Sequence, residues 1–145
     1  MAFTNPSLEE IRALLERVRR IAVVGLSPKP DRPSYKVASA LQGFGYRIIP
    51  VRPLAREILG EKAYSGLASV PEKIDLVDVF RAPEQVDEVS DACIALHLPA
   101  VWLQDGVVNE AAAQRARAAG LMVVMDRCVY RDYVRLFGAA PRSAP

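Results

Sequence analysis

The stretch that most constrains this chain is residues 21–39, IAVVGLSPKPDRPSYKVAS, which reads as a buried strand running straight into a tight turn and the start of a helix. Ile21, Ala22, Val23 and Val24 form an unbroken apolar run, as expected of a central parallel strand covered on both faces. Gly25 closes it, and a residue without Cβ lets the chain turn sharply and lets a ligand approach bare backbone. Pro33 suits the first position of a helix, whose unpaired N–H groups attract anions. Ser27, Lys29, Arg32 and Ser34 add polar and positive side chains at the same mouth, so the segment predicts a pyrophosphate site.

The loop is not the dinucleotide fingerprint G-x-G-x-x-G, whose glycines serve the turn, the approach of the phosphates and close helix packing. Laid on Gly25, the second and third slots fall on Ser27 and Pro30, so only the turn glycine is present. With Pro28, Pro30 and Pro33 the loop is stiff, and its phosphate contacts must come partly from side chains. A nucleotide site of a different subclass is expected.

The strand-then-helix unit recurs along the chain. Further strands are expected over 46–51, 76–80, 100–103 and 121–125, and helices over 33–44, 84–96, 109–119 and from Cys128 toward Gly138. A first helix begins at Ser7, with Glu10 completing a capping box, and carries Leu8, Ile11, Leu14, Leu15 and Val18 as an apolar stripe expected to pack on the sheet edge. Residues 54–73 lack a period and predict no more than a helical turn or two, and the tail 139–145 is expected to fray. The pattern implies a Rossmann-like α/β fold: a doubly wound parallel sheet of about five strands between two helical layers. The 145 residues are read as a single domain with its core at about 8–137.

In such folds ligands bind outside the carboxyl ends of the strands, where strand order reverses. The site should therefore collect residues 25–29, Arg52 and Pro53, Phe80, Arg81 and Ala82, Gln104 to Gly106, and residues 126–128. An NAD site wants a carboxylate after the second strand for the ribose hydroxyls. This chain has Arg52 there, 27 residues past Gly25, which suits the extra ribose phosphate that NADP and coenzyme A both carry. Arg81 adds a further cation on the same rim.

Charge excludes some alternatives. Lys and Arg outnumber Asp and Glu by only 19 to 17, a net +2 with no basic stripe, so a nucleic-acid partner is not expected. No apolar run approaches the ~20 residues of a membrane span, and MAFTNPSLEE lacks the pattern of a signal peptide, so a cytoplasmic protein is the default. Two cysteines, Cys93 and Cys128, and one histidine, His97, predict no metal site.

The blocks GLSPKPDRPSY, IIPVRP, DLVDVFR, VWLQDGVVNEAA and GLMVVMDRC, in that order over roughly residues 10–137, resemble the family of small CoA-binding proteins, similar in fold to the N-terminal domain of the succinyl-CoA synthetase α subunit. The resemblance implies coenzyme A or an acyl-CoA as ligand. It places the diphosphate and adenine at Leu26, Ser27, Pro28 and Lys29, at Arg52, and at Phe80, Arg81 and Ala82, and Gly25, Arg32, Ser34, Tyr35 and Pro53 complete the expected cofactor-binding set. Gln104, Gly106 and Asn109 are candidates for the pantetheine channel, although turn formation and helix capping also account for Gly106 and Asn109. Where many relatives carry Asn before the proline of the second block, this chain has Arg52. The phosphorylated histidine of the synthetase belongs to a second domain, and His97 matches no such motif, so ligase chemistry is not implied.

No catalytic residue is assigned, since no Ser/His/Asp set, carboxylate pair or Walker loop is present. The expected role is a binding or regulatory module. The alternatives are an NADP-dependent oxidoreductase domain and an acyl-CoA-handling enzyme that needs a partner subunit; a homo-oligomer is also compatible. Asp78 interrupts an apolar strand and faces either the site or an internal partner. Cys128, beside Arg127 at a helix start, is either a small buried apolar residue or a thiol able to form a mixed disulfide with a thiol ligand, whereas Cys93 reads as core.

Overall fold

Apolar runs that alternate with helices can bury both faces of a strand only in the middle of a layered sheet, and that is the arrangement found. In the computed structural model, which describes residues 3–142, the chain runs α1 (Leu8–Arg17), β1 (Arg20–Val24), α2 (Pro33–Gly43), β2 (Arg47–Val51), β3 (Glu57–Ile58), β4 (Glu61–Lys62), β5 (Leu76–Val79), α3 (Val86–Ala95), β6 (Ala100–Leu103), α4 (Glu110–Ala118), β7 (Met122–Met125) and α5 (Val129–Phe137). Five strands form a parallel sheet in the order β2-β1-β5-β6-β7. The fold is the expected Rossmann-like α/β sandwich.

Strand residues alternate between two cores. Ile21, Val23, Leu76 and Trp102 point to the layer of α1, α2 and α5, where they meet Leu14, Leu41 and Tyr133. Ala22, Val24, Val77 and Val101 point to α3 and α4, against Cys93, Ala112 and Ala116. The small alanines let α4 lie close to the sheet.

α1 starts as its sequence indicates, with Ser7 Oγ accepting from the Glu10 amide at 3.2 Å and Glu10 Oε1 accepting from the Ser7 amide at 3.0 Å. Its packing differs from expectation. Ile11, Leu14, Leu15 and Val18 join the cluster holding Ile21, Ala100 and Trp102, so the helix covers a face of the sheet, not its edge. A fully buried stripe needs apolar area, which a face offers and an edge of open backbone groups does not.

Residues 54–73 also depart from expectation. β3 and β4 make a short antiparallel hairpin, turned through Leu59 (φ 57°) and Gly60 (φ 76°), and a single 3-10 turn follows at Leu67–Ser69. Tyr64 then bridges onto β2, its amide donating to Pro50 O at 2.9 Å while its carbonyl accepts from the Arg52 amide at 2.8 Å. At the opposite edge the Asn5 side chain pairs with the main chain of Met125 in both directions, Nδ2 donating to the carbonyl at 2.9 Å and Oδ1 accepting from the amide at 2.8 Å.

The expected fraying of the tail does not hold for residues 139–142, and residues 143–145 lie outside the described residues. Ala140 O accepts from the Tyr133 hydroxyl at 2.9 Å. Arg142 donates to the Glu16 and Val18 carbonyls at the end of α1 and lies over the Tyr46 ring, 4.6 Å from its centroid. A cation at a helix C-terminus satisfies carbonyls that no intrahelical donor reaches.

Candidate functional site

From β1 the chain steps outward to β2, and later returns to place β5 on the other side of β1. The loops after β1 and β5 therefore diverge and leave a crevice between them. Gly25 sits at its floor with φ +84°, its amide donating to Val51 O at 3.0 Å, while the Phe80 amide donates to Val24 O at 2.9 Å. A Cβ on Gly25 would stand 2.3 Å from the Phe80 carbonyl oxygen and 3.1 Å from Arg81 Cδ, so the position admits only glycine on both conformation and space.

The loop after Gly25 is folded over the start of α2 by its serines. The Ser27 amide donates to Ser34 Oγ at 2.9 Å, and the Lys29 amide donates to Ser27 Oγ at 3.1 Å. Arg32 occupies the N-cap without a side-chain cap, Pro33 begins the helix, and its first bond runs from the Lys36 amide to Arg32 O at 3.1 Å. The Ser34 and Tyr35 amides find no acceptor among the described residues, which leaves the helix start open to an anion.

Above this floor lies a cavity of about 670 Å³. Its walls bring together Gly25, Ser27, Pro28, Lys29, Arg32 and Ser34 from the loop, Arg52 after β2, Phe80 and Arg81 after β5, and Gln104 after β6. None of the four cations among them joins an ion pair with a described carboxylate, whereas Arg47, Arg127 and Arg131 elsewhere are held by Glu72, Asp132 and Asp105 at 2.6, 2.6 and 2.8 Å. Arg52 reaches only Leu26 O, at 3.4 Å, and the buried Nε of Arg81 has no partner. Unpaired guanidinium groups converging on one cavity are a receptor for phosphate oxygens.

Other residues expected at the site lie elsewhere or face away. The Leu26 side chain is wholly buried in the core, so only its backbone borders the loop. Tyr35 packs against the same core. Gly106 turns the chain at φ +78° and donates to Asp126 Oδ1 at 2.8 Å. Asn109 caps α4, its Oδ1 accepting from the Ala112 amide at 3.0 Å, and spends its Nδ2 on Pro83 O at 3.2 Å.

Pro53 and Ala82 border a second cavity, of about 330 Å³, which shares Gly25, Arg52, Phe80 and Arg81 with the first. A third, of about 180 Å³, shares Pro53, Arg81 and Gln85 with the second and runs beneath α3 between Leu67, Glu88 and Val89. Arg81 borders all three, so the cavities form a continuous trough. Sequence reasoning missed the third cavity, whose near wall comes from the aperiodic segment. In the first cavity it also missed Val37, one turn beyond Ser34, and Val107; Asp105 and Cys128, both at strand ends, complete that wall.

Asp78 does not face the trough. It lies in register between Val23 and Trp102, fully buried, with neither carboxylate oxygen hydrogen-bonded. Burial raises its pKa well above the ordinary carboxylate value, because an unpartnered charge is poorly solvated there. Burial likewise pushes the Cys93 thiol up to about 12. His97 is exposed at φ +54° and shapes the turn after α3, its amide donating to Ile94 O at 3.1 Å. Among the described residues no group of three or more His, Cys, Asp or Glu could hold a metal ion, and no helix is long and apolar enough to cross a membrane.

Known proteins share both sequence and geometry with this chain. A family model described as a CoA binding domain matches residues 19–133. An uncharacterized protein of Bacillus subtilis, YneT, is 47% identical over 125 residues, covering 86% of this chain and 93% of that protein. A solved structure of a hypothetical protein from Pyrococcus horikoshii superimposes with a TM-score of 0.88 at 38% identity, over 95% of this chain and all of the other. An ADP-forming acetate–CoA ligase of Archaeoglobus fulgidus is 30% identical over 93 residues, 63% of this chain but only 13% of the ligase.

Proposed function

The chain belongs to the CoA-binding domain family, and from that premise we propose that its trough binds coenzyme A or an acyl-CoA. The observation that carries this reading is the convergence of Lys29, Arg32, Arg52 and Arg81, all without ion-pair partners among the described residues, on a cavity floored by Gly25 and the open amides of α2. The residues fit the group. Pyrophosphate oxygens are matched by the Ser34 and Tyr35 amides and the loop cations, and the ribose phosphate by Arg52, which stands where an NAD site would need a carboxylate. The first cavity, closed by Val37, Val107 and Gln104, suits the pantetheine arm, and the smaller one under α3 suits a flat base.

Residues 1–145 are read as a single binding domain, a module that presents or withholds the carrier and not a free-standing catalyst. The kinship with ADP-forming acetate–CoA ligases supports a second reading, in which such a domain handles acyl-CoA together with a partner subunit. The NADP reading has less support, since Ser27 and Pro30 occupy two of the three fingerprint glycine slots.

Calorimetric titration with coenzyme A, dephospho-CoA, acetyl-CoA, NADPH and NAD tests the reading. Coenzyme A is expected to bind tightest of the nucleotides, with dephospho-CoA weaker, and saturation at 100 times Kd to add about 2.7 kcal/mol of stability. A response to NADPH alone would overturn it in favour of the oxidoreductase alternative.

A further inference from the structure

The end of the trough farthest in chain order from the phosphate loop carries a thiol that lines the cavity wall. Cys128 precedes the first turn of α5, lines the main cavity with Val37 and Val107, and is 8% exposed, whereas Cys93 is wholly buried on the other side of the sheet.

A second, independent feature of the same wall points to a ligand. Gln104 is only 4% exposed and lines the cavity. Its Oε1 accepts from the Val129 amide, the residue after Cys128, at 3.0 Å, which fixes the side chain beside α5. Its amide nitrogen donates to nothing among the described residues. Held in the cavity wall by a side chain that is otherwise buried, this N–H pair is a fixed donor for a ligand carbonyl. The pantetheine arm carries amide carbonyls of that kind, flanked by methylene groups that match Val37 and Val107, and ends in a thiol.

We infer that Cys128 is a covalent docking point: it exchanges with the disulfide of coenzyme A and holds the carrier as a Cys128–CoA mixed disulfide. This rests on the CoA-binding reading above. The Cys128 sulfur, after losing its proton to solvent, attacks one sulfur of the CoA disulfide. A Cys128–CoA bond forms, the original S–S bond breaks, and the departing thiolate takes up a proton as free coenzyme A. The protein sulfur is oxidised by the amount that the leaving sulfur is reduced. The product is a carrier whose acyl-accepting thiol is masked until a second thiol releases it.

The test is intact-mass spectrometry of the full chain, purified without reductant and incubated with CoA disulfide, alongside calorimetry with reduced coenzyme A. The expected result is one adduct of coenzyme A less two hydrogens, mapped by peptide mass to Cys128, absent from Cys128→Ser and removed by dithiothreitol. Because docking raises the effective concentration of the disulfide, the adduct should form at least about tenfold faster than with glutathione disulfide, and Arg52→Ala should abolish most of that advantage. Tight binding of reduced coenzyme A with no adduct, an adduct on Cys93, or equal rates with the two disulfides would each overturn the inference while leaving the binding reading intact. No binding of coenzyme A in the calorimeter would overturn both.

Discussion

Gly25 stands so close to Phe80 that a single added methyl would press to within 2.3 Å of the Phe80 carbonyl oxygen. This contact joins the loop after β1 to the loop after β5 and sets the floor of the trough. Gly25→Ala is expected to cost at least about 1–2 kcal/mol of stability from its left-handed backbone alone, with the forced separation of the loops added. Urea denaturation measures the first effect, and calorimetry should show that coenzyme A binding falls further than the loss of stability explains.

Among the described residues the Arg52 side chain has no carboxylate partner and makes one hydrogen bond, at 3.4 Å to Leu26 O. If it receives the ribose phosphate, Arg52→Ala should weaken coenzyme A by about 1.5–3 kcal/mol, roughly 10- to 150-fold. Dephospho-CoA should lose much less, so the preference between the two ligands collapses. Equal losses for both ligands would assign Arg52 to the pyrophosphate instead.

Asp78 sets a pH dependence. Its folded pKa is raised by burial above the usual 3.8, so the folded protein retains a proton that the unfolded chain releases. Its contribution is fully present below that unfolded value and is lost progressively as pH rises toward the folded one. Glu72 and Asp87, lowered first by hydrogen bonds from Arg47 and Arg115, act in the opposite sense, gaining stability as pH rises. The difference between wild type and Asp78→Asn isolates the buried acid. The variant should gain on the wild type in urea midpoints as pH rises from 3.8 toward the folded pKa, and a difference that stays constant through this rise would show that burial does not shift the Asp78 carboxyl.

Arg142 ties the chain end to the last turn of α1 through the Glu16 and Val18 carbonyls. Arg142→Ala should therefore lower stability by about 1–3 kcal/mol without touching the trough. Thermal unfolding checks the loss, and unchanged coenzyme A affinity checks its independence from the site.

The parts of this fold that were legible in sequence are those whose signal is local. The run Ile21 to Val24 ending in Gly25 announces a buried strand and a sharp turn within five residues, and Pro33 marks the helix start. The hairpin of β3 and β4 was hidden for a physical reason. Its turn places Leu59 and Gly60 at positive φ, a geometry usually announced by Asn-Gly, and each strand has two residues, too few to show a period. The tail was misjudged because the groups that hold Arg142 lie more than a hundred residues earlier. At the site, the rule that ligands collect at strand ends located Arg52, Arg81 and Gln104, but could not say that Leu26 turns inward or that Asn109 has no donor to spare. Whether a polar side chain is free depends on its tertiary neighbours.

The clamp of Asn5 on Met125 has a colloidal consequence. β7 is the outer rail of the sheet, and its exposed main-chain groups would otherwise invite a strand from another molecule. A side-chain amide that mimics one peptide unit satisfies the amide and carbonyl of Met125 from within the chain, while on the far rail the main chain of Tyr64 pairs with Pro50 and Arg52. Each flank of the sheet is thus blunted at one point where an edge-on strand from another molecule would have to add.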